Sequence, residues 1–156
     1  MIALLQRVTH ANVVVNGIQI AQINQGLLVL IGVERGDSRI TAARLLKKIL
    51  HYRVFSDEND KMNLSVTDIN GGLLLVPQFT LAANTDKGLR PSFTPAESPS
   101  QGNALFDYLC QQAKATYSDV HIGQFGADMK VSLTNDGPVT FWLQIKPDIS
   151  KEPLHG

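Results

Sequence analysis

Residues 26–33 read Gly-Leu-Leu-Val-Leu-Ile-Gly-Val, an apolar run without a polar interruption. A run of this length that does not alternate with polar residues is typical of a β-strand covered on both faces. A second run of the same kind, Leu-Leu-Leu-Val at residues 73–76, continues into Pro77-Gln78-Phe79-Thr80. The two runs predict a sheet with buried central strands.

The sequence around these runs predicts further strands. Asn16-Gly17 lies between β-rich stretches and is typical of a tight hairpin turn, because both positions tolerate positive φ angles. We predict other strands near residues 3–8, 52–55, 120–125, 129–134 and 139–145. A tight turn at residues 135–138 is expected to open the last of them.

Two segments predict amphipathic helices. The first would be capped by Asp37 or Ser38, and its apolar residues recur at helical spacing on one face. Its opposite face carries Arg44, Lys47 and Lys48, which we interpret as a solvated face rather than an RNA-binding stripe.

The second helix is predicted to begin at Ser98-Pro99, with Gln101 completing a capping box. Cys110, the only cysteine, lies on this helix, so no internal disulfide can form and a buried apolar role is expected.

These elements predict an α+β fold: one domain with a largely antiparallel, barrel-like sheet covered by two main helices in α/β/β layers. We place the domain at residues 1–145. Residues 146–156 are predicted to be a polar, frayed tail.

Composition restricts the class of function. Fourteen basic residues balance fourteen acidic ones, which disfavours non-specific nucleic-acid binding but leaves room for a local patch that binds one RNA end. No apolar run reaches the ~20 residues needed to span a bilayer, so no membrane association and a cytoplasmic location are expected.

Few residues suggest conventional catalysis. The four histidines are scattered, without metal-ligand spacing, and the polar loop at residues 56–61 departs from a calcium loop, so no metal and no cofactor are expected. Thr80 is a possible nucleophile, but no base lies near it in the sequence. Phe125 could belong to the core or stack on a base, and Lys87 and Arg90 could contact phosphate or simply be solvated.

Several motifs, in this order and spacing, resemble those of the D-aminoacyl-tRNA deacylases, also called D-tyrosyl-tRNA deacylases. The similarity extends from residue 1 to about 145. It includes residues 3–8, 26–33, 55–57, 61–64, 78–81, 87–93, 125–129 and 135–140.

The resemblance implies a homodimer that hydrolyses the ester of D-aminoacyl-tRNA, and of glycyl-tRNA, at sites between the subunits. Backbone N–H groups of Phe79 and Thr80, beside Gln78, would form an oxyanion hole. A cis Gly137-Pro138 peptide from the partner would exclude L side chains. The 2′-hydroxyl of the terminal ribose would assist the reaction.

The resemblance also implies that Phe125 lies against the terminal adenine and that Arg7 supports the Gly-Pro turn. One position departs from the family pattern: Pro77 stands where serine is usual. Two alternatives stay open, a hydrolase with Thr80 as covalent nucleophile and a non-catalytic module that binds the tRNA end.

Overall fold

The structure is a computed structural model that describes residues 1–147; residues 148–156, which belong to the predicted tail, lie outside the described residues. The helices are α1 (Arg39–His51) and α2 (Pro99–Thr116), and a 3₁₀ turn spans Phe79–Ala82. The described strands are β1 (Ile2–Val15), β2 (Ile18–Ile23), β3 (Gly26–Gly32), β4 (Phe55–Ser56), β5 (Met62–Leu64), β6 (Gly72–Pro77), β7 (Val120–Ile122) and β8 (Lys130–Gln144).

The main sheet is organised around the long strand β1. Antiparallel β3 pairs with residues 2–8 of β1, and antiparallel β2 pairs with residues 11–15. Antiparallel β8 follows β1 over residues 2–14. On the far side of β3, strands β6 and β7 add in parallel. The α+β class with a barrel-like sheet and two main helices is confirmed, and the sheet is mixed because of the β3–β6–β7 part.

Both faces of β3 and β6 are buried, as their apolar runs predicted. Leu27, Val29 and Ile31 join the larger core cluster, to which both helices contribute. Leu28 and Leu74 point to the opposite side, into the smaller cluster between these strands, β1 and β2. The two strands approach so closely that a Cβ on Gly26 would lie 1.9 Å from the Gly72 carbonyl oxygen.

The helix boundaries follow from local chemistry. Ser38 caps α1, and its hydroxyl accepts a hydrogen bond from the Thr41 N–H while the Thr41 hydroxyl accepts one from the Ser38 N–H. Ser98 is the N-cap of α2 but its side chain makes no capping bond, so the predicted capping box with Gln101 is wrong. Proline in the first turn of α2 already removes one of the N–H groups that need a partner.

Two strand predictions need correction. The strand predicted at residues 52–55 is only the two-residue β4, beginning at Phe55. The strands predicted at 129–134 and 139–145 are one continuous strand, β8, so residues 135–138 interrupt its pairing without reversing the chain. The predicted Asn16-Gly17 hairpin is confirmed, with φ angles of 50° and 76°.

Two further properties bear on the expected class of protein. No helix within residues 1–147 is long and apolar enough to cross a bilayer. Cys110 is buried, and desolvation raises the pKa of its thiol to about 12, which agrees with the predicted packing role.

Candidate active site

The segment after β6 presents two backbone donors. The Gln78 N–H donates to the Ile31 carbonyl at 2.7 Å, which completes the parallel ladder, and the 3₁₀ turn starts at the next residue. Among residues 1–147, the N–H groups of Phe79 and Thr80 donate to no other group. N–H groups in a first helical turn have no partner inside the helix, so this pair is available to an external oxygen.

The Thr80 hydroxyl is held by a neutral partner. Its oxygen accepts a hydrogen bond from the Gln78 amide nitrogen, and within the described residues no histidine or carboxylate contacts it. A primary amide cannot accept the hydroxyl proton at neutral pH, so this environment does not activate Thr80 as a nucleophile.

A pocket of about 590 Å³ adjoins this segment. Gln78 and Phe79 form one side, Phe125 and Gly126 another, and the beginning of α2 closes a third. Most of the remaining walls are apolar, contributed by Ile31, Val33, Pro77, Phe93, Ala96, Pro99 and Phe106. The pocket is therefore suited to a flat, largely apolar group such as a nucleobase.

Aromatic contacts fix the pocket walls. The rings of Phe79 and Phe93 lie 5.2 Å apart, and those of Phe106 and Phe125 lie 6.3 Å apart. Phe125 also faces Gly102 of α2, where a Cβ would lie 3.6 Å from its ring. The two interpretations of Phe125, core and stacking surface, are thus compatible, because one ring edge packs on the core and the pocket meets the rest.

A second group of predicted residues surrounds Gly137-Pro138, whose peptide bond is cis. Four residues of β8, 136–139, stand opposite the single residue Arg7 of β1, which makes a large bulge. We call residues 136–138 the bend. Gly137 and Pro138 are exposed, and Gly137 has a φ of 145°, which side chains rarely permit.

Side chains brace the bend from both ends. Arg7 donates from Nε to the Asp136 carbonyl at 2.9 Å and from Nη1 to the Val54 carbonyl at 2.7 Å. The Asn135 side chain accepts from the Val139 N–H at 2.7 Å and donates to the Val139 carbonyl at 3.2 Å. These bonds replace the ladder that the bulge interrupts, so the bend is held in one shape.

One protomer does not bring the bend to the pocket. Strands β8, β1, β3 and β6 lie side by side, so three spacings of about 4.8 Å separate β8 from β6. Along the strands, Arg7 pairs with Leu27 whereas Pro77 pairs with Ile31, an offset of four residues or about 13 Å. The bend and Pro77 are therefore on the order of 20 Å apart.

Comparison with known proteins identifies the family. The family model described as D-Tyr-tRNA(Tyr) deacylase matches residues 4–144. The chain belongs to this family. A D-aminoacyl-tRNA deacylase from Janthinobacterium sp. (strain Marseille) is 63% identical over 147 residues, covering 94% of this chain and 99% of the relative. One from Herminiimonas arsenicoxydans is 62% identical over 149 residues, covering 96% and 100%.

Solved structures agree with this deacylase assignment. A structure titled "c-Myc DNA Unwinding Element Binding Protein" superposes with a TM-score of 0.90 at 39% identity, over 94% of this chain and 99% of that one. A structure of a probable eukaryotic D-amino acid tRNA deacylase gives a TM-score of 0.79 at 18% identity, over 92% and 98%, and supports the fold alone.

Some features of this deacylase family member were not evident from the sequence. The residues Phe93, Ser98 and Gly102 line the pocket from distant segments, and no periodicity indicated them. The α-amino group of Met1 is buried and contacts Asp37 at 2.7 Å, Glu34 at 3.2 Å and the Ile145 carbonyl at 2.7 Å. Lys87 and Arg90, the cations of the long loop, are exposed and do not line the pocket.

Proposed function

We propose that this protein is a homodimeric deacylase, with residues 1–145 as its catalytic domain. It hydrolyses the ester between a D-amino acid and the 3′ end of tRNA, and it acts in the cytoplasm on mischarged tRNA. The observation that carries the proposal is the pair of unpartnered N–H groups at Phe79 and Thr80, beside a pocket of nucleoside size. The names of the similar curated proteins agree with this reaction.

The two N–H groups supply the main catalytic term. When water attacks the ester carbonyl, negative charge develops on the carbonyl oxygen, and two fixed donors stabilise that charge without reorganising. Loss of one such donor typically costs about 3–4 kcal/mol of transition-state stabilisation. An aminoacyl ester is an activated acyl group, so this term and the fixed orientation of the ester meet much of the catalytic demand.

The pocket holds the terminal adenosine. Phe125 stacks on the base and its apolar neighbours exclude water, while Gln78 holds the Thr80 hydroxyl and thereby fixes the turn. No histidine lines the pocket, so we assign activation of the attacking water to the 2′-hydroxyl of the terminal ribose. Thr80 is then a positioning residue.

Chiral selection requires a second subunit. The bend is exposed, rigid and on the order of 20 Å from Pro77 of its own chain, so it is available to the pocket of a partner. There the bend's carbonyl oxygens accept hydrogen bonds from the substrate's ammonium group, and its backbone occupies the space that an L side chain needs. Discrimination by a clash suits two substrates that carry identical groups. Glycyl-tRNA has no side chain to reject, so it also passes.

The reaction is tested by following D-tyrosyl-tRNA and L-tyrosyl-tRNA in parallel with purified protein. We expect loss of the D ester only. Equal loss of both esters would overturn the stereochemical proposal, and tRNA binding without turnover would favour the non-catalytic module. An acyl-enzyme trapped on Thr80, together with hydrolysis of a substrate that lacks the 2′-hydroxyl, would favour the covalent alternative.

The oxyanion role is tested by two variants of one residue. Phe79→Pro removes both the N–H and the aromatic ring, whereas Phe79→Ala removes the ring alone. Proline is tolerated at this position because Phe79 is the first residue of its turn and Gln78 is extended, with φ −142° and ψ 85°. We expect kcat of Phe79→Pro to lie about 10²–10³-fold below that of Phe79→Ala. Equal kcat values would remove this N–H from the mechanism.

The shared site is tested by complementation. Gly137→Val disables the bend and Phe79→Pro disables the donor pair, so each homodimer should be inactive. Co-expression yields heterodimers in which one site is intact, and about a quarter of the wild-type activity should return. If mass spectrometry detects heterodimers and no activity returns, the two elements do not serve one site.

A further inference from the structure

The exposed face of α1 carries a contiguous basic stripe. Arg44, Lys47, Lys48 and His51 follow helical spacing, so all four project from one side of the helix. With Tyr52 and Ile145 they line a groove of about 420 Å³. The whole chain has a formal net charge of zero, so this stripe is a local concentration of positive charge.

Helix electrostatics explain only part of the stripe. Lys48 and His51 lie in the last turn, where the helix dipole favours cations. Lys47 lies further from the end, and the dipole does not account for a groove with an aromatic ring at its side. Within residues 1–147, neither Lys47 nor Lys48 pairs with a carboxylate. The argument does not depend on Arg44, which is already engaged in another interaction.

The groove connects directly to the bend. The Tyr52 ring packs edge-on against Phe141 of β8, with ring centroids 5.5 Å apart. Two residues after Tyr52, the Val54 carbonyl accepts the hydrogen bond from Arg7 that braces the bend. A polymer whose end lies under the bend therefore emerges close to the C-terminal end of α1.

We propose that this groove binds phosphate groups of the RNA acceptor end whose 3′ terminus lies under the same protomer's bend. The inference rests on the proposed function, since that function places the substrate's terminus beneath the bend. The two lysines supply point charges for the phosphates, and the Tyr52 side of the groove accommodates the apolar edge of a sugar or base. One protomer thus contributes the bend and the backbone grip, while its partner contributes the pocket and the donors.

The test removes the two unpaired charges and compares them with two charges elsewhere. The test variant is Lys47→Gln/Lys48→Gln. The matched control is Lys114→Gln/Lys130→Gln, because Lys114 also lies in the last turn of a helix and Lys130 is an exposed lysine on another surface. Deacylation of D-tyrosyl-tRNA is measured between 50 and 200 mM salt, beside D-tyrosyl-adenosine, which lacks every other phosphate.

We expect the test variant to raise KM for D-tyrosyl-tRNA roughly three- to tenfold at unchanged kcat, and to reduce the slope of log(kcat/KM) against log[salt] by about 1–2. The control variant should match the wild type, and D-tyrosyl-adenosine should react equally with all three proteins. An unchanged KM, an equal change in the control, or an equal loss with D-tyrosyl-adenosine would each overturn the groove.

Failure of the proposed function gives a different result. If the wild type hydrolyses neither substrate, binding of uncharged tRNA by fluorescence anisotropy still tests the groove with the same variants. Weaker RNA binding by the test variant alone would support it. Lysine-dependent binding to anionic lipid vesicles, without lysine-dependent binding to tRNA, would reject RNA as the occupant.

Discussion

Gly137→Ala is the substitution with the most direct consequence for the bend. A Cβ at this position would lie 2.6 Å from Val139 Cγ2, 2.9 Å from the Val139 backbone nitrogen and 3.3 Å from Arg7 Nη2. Contacts below 3.0 Å force atoms to move, and backbone cannot swing aside as a flexible side chain does. Val139 is buried and its N–H is bonded to Asn135 at 2.7 Å, so its displacement also strains a brace of the bend.

The cost follows from two terms. A φ of 145° is almost restricted to glycine, and holding another residue there costs about 1–3 kcal/mol. Loss or distortion of the Asn135–Val139 hydrogen bond adds about 1 kcal/mol. The sum of roughly 2–4 kcal/mol lowers Tm by about 4–16 °C for a domain of this size. If the bend relaxes instead, a displacement near 1 Å at the reacting groups lowers kcat/KM about 10²-fold.

Thermal unfolding and D-tyrosyl-tRNA deacylation, measured on one preparation, separate these outcomes. The matched control is Gly17→Ala in the β1–β2 turn, where φ is also positive at 76° but nothing lies within 4 Å of the new Cβ. Gly17→Ala should lose about 1–2 kcal/mol and no activity. The reasoning is refuted if Gly137→Ala resembles Gly17→Ala in both stability and turnover.

Three other perturbations have defined outcomes. Arg7→Lys cannot reach both the Asp136 and Val54 carbonyls with a fork of donors, so we expect roughly a tenfold loss of kcat/KM with less than about 2 kcal/mol of stability, and equal activity would remove Arg7 from the support of the bend. Because burial raises the Cys110 pKa to about 12, alkylation at pH 8 should be about 10²–10³-fold slower in folded than in urea-unfolded protein, and comparable rates would show that the thiol is accessible. Acetylation of the Met1 amino group should cost about 3–5 kcal/mol because it leaves the buried Asp37 carboxylate without its cation, and Asp37→Asn should recover part of that loss in a denaturant titration.

Much of the fold was predictable because its signals are local. The apolar runs at residues 26–33 and 73–76 predicted β3 and β6 correctly, since a strand buried on both faces needs apolar side chains on both. The Asn16-Gly17 turn and the Ser38 cap depend on residues that are adjacent or one turn apart. Local conformational preference is sufficient at these positions.

The bend was predicted wrongly for a physical reason. Within its own segment, Asn135-Asp136-Gly137-Pro138 has the composition of a turn that reverses the chain. The structure keeps the strand direction because β1 pairs with β8 on both sides of the bulge, from Ile2–Gln144 to Val14–Lys130. That pairing joins residues more than a hundred positions apart, and no local pattern reports it.

The site was predictable in proportion to the resemblance. The residues alone indicated Thr80 as a weak nucleophile candidate, whereas the roles of Phe79 and Gly137 came from the family pattern. Backbone N–H groups have no sequence signature, because every residue except proline carries one. The pocket also depends on the first turns of α2, which the chain order does not place near β6.

Pro77 can be judged from the ladder in which it lies. In β6, Leu73 donates to the Asp119 carbonyl and Leu75 accepts from the Gly123 N–H, so alternate residues of this strand face β7. By that alternation the N–H of residue 77 would face the Gly123 carbonyl, and proline cannot donate it. The β6–β7 pairing accordingly ends at Ile122, and the chain leaves the sheet to place Phe125 in the pocket wall. The bond to β3 is unaffected, because the Gln78 N–H makes it. Proline in place of the expected serine therefore removes a hydroxyl from the pocket wall and ends one ladder, while the donors of Phe79 and Thr80 stay in place. The change bears on how the nucleoside is held, not on how the ester is activated.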